Sequence, residues 1–67
     1  MYENLKIEMI KKGITSSQLA ELLGIHANSV TNKIAHGPFS IEEAFLIKNN
    51  LFPNLEIAYL FERKTVA

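Results

Sequence analysis

The chain has 67 residues, no cysteine, and seven basic side chains against seven acidic ones. This length predicts a single domain over residues 1–67 with one small core, and the lack of cysteine excludes disulfide bridges and thiolate metal sites. A formal net charge of zero counts against a strongly electrostatic nucleic-acid binder, whose domain is usually basic.

Turn signals divide the chain into five predicted helices, of which the first covers about residues 2–12. Tyr2, Leu5 and Met9 fall on one face of this helix, at the spacing that a buried face requires. Two lysines and Gly13 follow. This order is typical of a helix end, because cations complement the helix dipole and glycine accepts a left-handed conformation.

The second predicted helix starts at a capping box. Thr15 stands three residues before Gln18, the spacing at which each side chain can bond the other residue's backbone amide. Leu19 and Ala20 belong to the apolar face, and Gly24 marks the end of the helix.

The third predicted helix, about residues 27–36, has an unusual outer surface. Its apolar positions are Val30 and Ile34, four residues apart. The positions around them carry small amides and hydroxyls, namely Asn28, Ser29, Thr31 and Asn32. Each of these costs up to about 0.7 kcal/mol in helix propensity relative to alanine, and a solvated face would normally carry Glu, Lys, Gln or Arg. The composition therefore indicates a surface used for recognition.

Two further helices complete the prediction. Ser40 and Glu43 have the spacing of a second capping box and begin the fourth helix. Pro53 interrupts the chain, and Asn54 can cap a fifth helix that extends to about Arg63. Neither an alternating pattern of strand length nor a hairpin turn signal is visible, so we predict an all-α fold, a compact bundle of five helices.

The fifth predicted helix is apolar on two faces. One face carries Leu55, Ala58 and Tyr59, and the other carries Ile57, Leu60 and Phe61. A helix that is apolar on both sides is buried on both sides, but a domain this small has little core left for the second face. We therefore predict a homodimer interface at Ile57, Leu60 and Phe61. The alternative is that the first helix or residues 64–67 cover this face.

The spacing between the second and third helices is the most informative feature. Ala20 lies four residues before Gly24, and Val30 lies six after it. A small residue lets the two helices approach closely, and glycine supplies the left-handed turn between them. With Ile25 beneath the turn, this pattern predicts a helix-turn-helix at about residues 16–36.

The stretch TSSQLAELLGIHANSVTNKIAHGPFSIEEA resembles the DNA-binding domain of the lambda repressor/Cro superfamily, the phage repressors and Cro-like regulators. The matching positions are Leu19, Ala20, Leu23, Gly24, Ile25, Val30, Ile34 and Gly37. The resemblance implies a five-helix domain of the lambda repressor type that binds double-stranded operator DNA and regulates transcription, in a phage or prophage setting. It also implies a homodimer on a near-palindromic operator.

On this interpretation the third helix is the recognition helix, and small side chains allow it to approach the base edges in the major groove. The expected base contacts are Ala27, Asn28, Thr31 and Asn32. The expected contacts to the DNA backbone are Ser16, Ser17, Ser29, Lys33, His36 and Ser40. The hydroxyls and amides of Ser16 and Ser17 lie at a helix N-terminus, where an anion is favoured, although helix-start chemistry alone also explains two serines there.

A protein-interaction module on the same fold is the alternative function, such as an anti-repressor or antitoxin-like factor with little DNA affinity. The neutral net charge favours it. So does the sequence after the third helix, where Pro38 and Phe39 stand in place of the basic residues often found in the family.

Other functions find little support in the sequence. His26 and His36 would lie about 15 Å apart along a helix, too far to share a metal ion. No pairing of nucleophile and base and no glycine-rich phosphate loop is recognisable, so we expect no enzyme, no cofactor and no small-molecule ligand. Neither a signal peptide nor an apolar run of membrane-spanning length is visible, so we expect a cytoplasmic protein without membrane contact.

Overall fold

The computed structural model describes residues 2–63, and this part of the chain is all-helical, with no strand. The helices are α1 (Glu3–Lys12), α2 (Ser16–Leu23), α3 (Ala27–His36), α4 (Ile41–Leu51) and α5 (Ile57–Leu60). The predicted all-α class is thereby confirmed. No helix within residues 2–63 is long and apolar enough to cross a membrane.

Every helix contributes one completely buried side chain to a common core. These side chains are Leu5 of α1, Leu19 of α2, Val30 of α3, Ile47 of α4 and Leu60 of α5. Burial of a side chain of this size stabilises the folded state by about 1.5–3 kcal/mol relative to exposure. The five helices therefore hold together through one shared apolar centre.

Both predicted capping boxes are present. The Gln18 amide donates to Thr15 Oγ1 at 3.2 Å, and the Thr15 amide donates to Gln18 Oε1 at 2.8 Å. At the start of α4 the Glu43 amide donates to Ser40 Oγ at 3.1 Å, and the Ser40 amide donates to Glu43 Oε1 at 2.8 Å. These bonds fix where α2 and α4 begin, as the spacing in the sequence predicts.

A tight turn joins α2 to α3, and these two helices contact each other more extensively than any other pair. Gly24 adopts a left-handed conformation with φ 70°, and the Ile25 amide donates to the carbonyl of Ala20 at 3.1 Å. Ala20 is only 5% exposed. The predicted left-handed turn is confirmed, and the small residue Ala20 is buried as expected.

The last helix is shorter than predicted. It begins after Glu56 instead of Asn54 and has only one turn. Residues 52–55 form a turn, in which the Leu55 amide donates to the carbonyl of Phe52 at 3.1 Å. Asn54 belongs to this turn, so it does not cap the helix.

The predicted exposed face of α5 is wrong at Leu60. Leu60 is completely buried in the core, so it is not available at a surface. Phe61 is half-buried, and its ring centroid lies 5.8 Å from that of Tyr2 and 5.6 Å from that of Phe39. Ile57 is half-buried as well. Residues 64–67, the other cover that we considered, lie outside the described residues.

Tyr2 connects the start of the chain to the end of α3. Its amide donates to the carbonyl of Ile34 at 3.0 Å, and its hydroxyl accepts from the Phe39 amide at 3.2 Å. Arg63 Nη2 donates to the carbonyl of His36 at 2.9 Å. The carboxyl end of α3 is therefore held by both ends of the described chain.

We expect Gly24→Val to lower the free energy of unfolding by more than about 1 kcal/mol, because a β-branched residue is strained at positive φ. No atom lies within 4 Å of the position that a Cβ would take, so the loss would come from the backbone and not from a collision. Gly24→Asn is the matched control, because asparagine tolerates the left-handed region. Equal losses for the two variants in chemical denaturation would contradict this explanation.

Candidate nucleic-acid interface

The outward face of α3 consists of short, uncharged side chains. Val30 and Ile34 are buried, and a rotation of 100° per residue places Asn28 and Asn32 at the middle of the opposite face. Both asparagines are exposed, and so is Thr31 beside them. The structure thus brings three of the four expected base contacts together on one accessible surface.

The two asparagines keep their hydrogen-bonding groups available. Neither side-chain amide bonds to another residue within the described range 2–63. The hydroxyl of Thr31 donates to the carbonyl of Ala27 at 3.1 Å, which leaves its lone pairs free to accept. An asparagine amide can bond both N6 and N7 of adenine, and a threonine methyl can contact the methyl group of thymine.

Ala27 has a different environment from the other three expected base contacts. It is half-buried and packs against the core in the first turn of α3. Its methyl group therefore has less surface to offer a ligand than the asparagine side chains have.

The serines expected at the DNA backbone lie at two helix starts. Ser16 and Ser17 are the first residues of α2, one half-buried and the other exposed, and their side chains form no hydrogen bond within residues 2–63. The first amides of a helix lack partners inside it, so this end of α2 can accept an anion. Ser29, in the first turn of α3, is half-buried.

The two histidines mark the ends of α3. His26 occupies the N-cap position without a side-chain capping bond, and His36 is the last residue of the helix. Both are exposed. Within residues 2–63 no group of three histidine or acidic side chains lies close enough to hold a metal ion.

Lys33 is engaged inside the protein and does not extend along the outward face. Its Nζ lies 3.2 Å from Glu43 Oε1 and 5.9 Å from the centroid of the Phe39 ring. The same oxygen of Glu43 accepts the hydrogen bond from the Ser40 amide. Two of the six expected backbone contacts, Lys33 and Ser40, are therefore bonded to one carboxylate oxygen.

Sequence reasoning missed Glu43 as a member of this surface. The capping box predicts its bond to Ser40, but Lys33 is ten residues earlier in the chain and belongs to another helix. The two charges meet because residues 37–40, which join α3 to α4, bring the start of α4 beside Lys33. The local sequence carries no signal for this ion pair.

The ion pair alters the titration of Glu43. Partial burial raises the pKa of this carboxyl, but the hydrogen bond from the Ser40 amide and the nearby Lys33 ammonium outweigh burial and lower the pKa from its ordinary value of 4.5. Because folding lowers this pKa, ionised Glu43 stabilises the folded state at pH values above the ordinary pKa of 4.5. This contribution is lost as the pH falls through the lower, folded-state pKa.

No protein-family model, curated protein or solved structure matches the chain. A function for this surface must therefore be argued from its own residues and their geometry.

We expect Lys33→Ala to raise the pKa of Glu43 toward 4.5, because it removes both a hydrogen bond and a favourable charge. NMR titration of the glutamate side-chain carboxyls measures this shift. Lys48→Ala is the matched control, because it removes the same charge from α4, where Lys48 donates to the carbonyl of Pro53 instead. Equal shifts in the two variants would show that general charge, and not the pair, sets the pKa.

Proposed function

We propose that the protein is a sequence-specific transcriptional regulator that binds double-stranded DNA, with α3 as its recognition helix. The observation that carries this proposal is the outward face of α3, where Asn28, Thr31 and Asn32 are exposed and uncharged. A helix face that contacts only solvent usually carries long charged side chains with high helix propensity. A helix face that contacts base edges needs short side chains that carry both donors and acceptors.

The dimensions of α3 suit the major groove of B-DNA. A helix with its side chains is about 10–12 Å wide, and the groove is about 12 Å wide. Asn28 and Asn32 are four residues apart, so they extend from one face one turn apart and can reach neighbouring base pairs. The hydroxyls and amides of Ser16 and Ser17, next to the capping box at the start of α2, would contact a phosphate and fix the register of α3 on the duplex.

The regulatory role rests on the resemblance to phage repressors and Cro-like regulators, and the arrangement of α2, the Gly24 turn and α3 is compatible with a helix-turn-helix of the lambda repressor type. A protein of this kind acts by occupying an operator. Ser29 and His36, which flank the outward face of α3, are further candidates for contacts to the DNA backbone.

A homodimer is part of the proposal, because a small neutral domain gains little affinity from phosphates and a second recognition helix doubles the base contacts. The contact cannot involve Leu60, which is buried in the core of one chain. Ile57 and Phe61 are half-buried, so they retain some surface for a second copy.

The alternative, a protein-interaction module, is favoured by exposed apolar side chains and by an apolar groove that borders the outward face of α3 at Thr31. Ile10 of α1 and Ile41 of α4 are 69% and 71% exposed, and Phe45 is exposed as well. A groove of about 350 Å³ between α1 and α3 is lined mainly by apolar side chains, Met9 and Ile34 among them. Apolar surface of this kind is typical of protein contacts.

Replacement of single asparagines tests the base-contact assignment. The target is the duplex that the wild-type protein enriches from a randomised pool. Asn28→Ala and Asn32→Ala should each weaken binding to it by roughly 1–3 kcal/mol and leave affinity for random-sequence DNA almost unchanged. Asn49→Ala, an exposed change on α4, is the control and should alter neither. Equal losses on both kinds of DNA would contradict base contact, and failure to enrich any sequence would favour the interaction module.

The enriched sequence also tests the homodimer. Two recognition helices related by twofold symmetry should select two inverted half-sites about one helical turn, or roughly 34 Å, apart. Sedimentation of the complex should then give two chains per duplex. A single half-site bound by one chain would show that the protein acts as a monomer.

A further inference from the structure

Lys33 has a special position in the charge distribution of the chain. It is the one lysine or arginine between residues 16 and 40, the segment that holds α2 and α3. Among lysine and arginine side chains, it alone can therefore offer a full positive charge from this segment to a DNA phosphate.

The ammonium group of Lys33 is not free in the structure. Glu43 Oε1 lies 3.2 Å from Lys33 Nζ, and the Phe39 ring lies on a second side of the ammonium group at 5.9 Å. The lysine side chain is only 31% exposed and the glutamate side chain 18% exposed. The same carboxylate oxygen accepts the Ser40 amide at 2.8 Å. Within the protein, Glu43 thus accepts from two donors that could otherwise bind an oxygen of a DNA phosphate.

The position of Lys33 on α3 makes a phosphate its natural alternative partner. It follows Asn32 by 100° around the helix, toward the side on which Glu43 lies. A helix that fills the major groove turns its flanks to the sugar-phosphate walls, so a long cationic side chain on a flank can reach a phosphate. Partly exposed ion pairs are weak, because water competes with them, so a phosphate can replace the carboxylate.

We propose that Glu43 is an internal counter-anion that withholds Lys33 from DNA phosphates and so lowers the affinity of the protein for DNA of any sequence. This inference rests on the proposed function, because it concerns the regulation of the same surface. Its consequence is discrimination: contacts to phosphates strengthen binding to every sequence alike, whereas the contacts of Asn28 and Asn32 depend on the bases. When Lys33 is neutralised within the protein, contacts to the bases supply a larger share of the binding free energy.

Glu43→Gln is the informative variant. Glutamine keeps the capping box, because its side-chain oxygen can still accept from the Ser40 amide, but it removes the charge that holds Lys33. Glu42→Gln is the matched control. It is adjacent, exposed and on the same helix, and it changes the net charge of the chain by the same amount without touching the ion pair. Circular dichroism should show the same helicity for both variants.

The measurement is affinity for a random-sequence duplex at several salt concentrations. Glu43→Gln should raise this affinity roughly three- to tenfold and steepen the slope of log affinity against log salt by about 0.9, the value for one added phosphate contact. Glu42→Gln should raise affinity less than about twofold and leave the slope unchanged. Adding Lys33→Ala to Glu43→Gln should abolish the gain.

The possible outcomes separate the two proposals. If the wild type binds DNA but Glu43→Gln and Glu42→Gln have the same affinity and slope, the inference about Glu43 is wrong and the proposed function stands. It is also wrong if the gain survives in the double variant, because Lys33 would then not be the group released. If neither the wild type nor any variant binds duplex DNA at low salt, the proposed function is wrong and the inference with it.

Discussion

The architecture depends on the way in which Tyr2 holds the carboxyl end of α3. Its amide and hydroxyl bond to the backbone of Ile34 and Phe39, and its ring packs against the rings of Phe39 and Phe61. A Cβ at Gly37 would lie 2.9 Å from Cε2 of Tyr2, so glycine is what allows the chain to pass this close. The other end of α3 is fixed by the turn at Gly24. The helix is therefore restrained at both ends while its outward face stays open, which is the condition for presenting side chains in a fixed arrangement to a ligand.

The sequence predicts those features whose causes are local. Capping boxes and the glycine after α2 involve residues within a few positions of one another, so their spacing alone is sufficient to place the starts of α2 and α4 and the end of α2. The exposed positions of α3 follow in the same way from Val30 and Ile34. The pair of Lys33 and Glu43 could not be predicted, because it joins two helices and depends on the path of the chain between them.

The fifth helix shows how an apolar pattern can mislead. The sequence predicts two buried faces for this helix, one of them against a second copy of the chain. The helix has instead a single turn, so the residues on either side of it are not bound to helical geometry. Leu60 enters the core, and Phe61, just past the helix, joins the aromatic cluster with Tyr2 and Phe39. Periodicity identifies a face only where the helix continues long enough to define one.

The net charge of zero argues against DNA binding in general, but the positions of the charged residues limit this argument. Apart from Lys33, every lysine and arginine in the sequence lies outside residues 16–40, and Lys33 itself is paired with Glu43. A surface of this kind would bind random DNA weakly, since counterion release supplies most of such binding. Asparagine side chains, by contrast, need no net charge to distinguish one base from another. The low charge that counts against general nucleic-acid affinity is therefore compatible with the proposed recognition of one particular sequence.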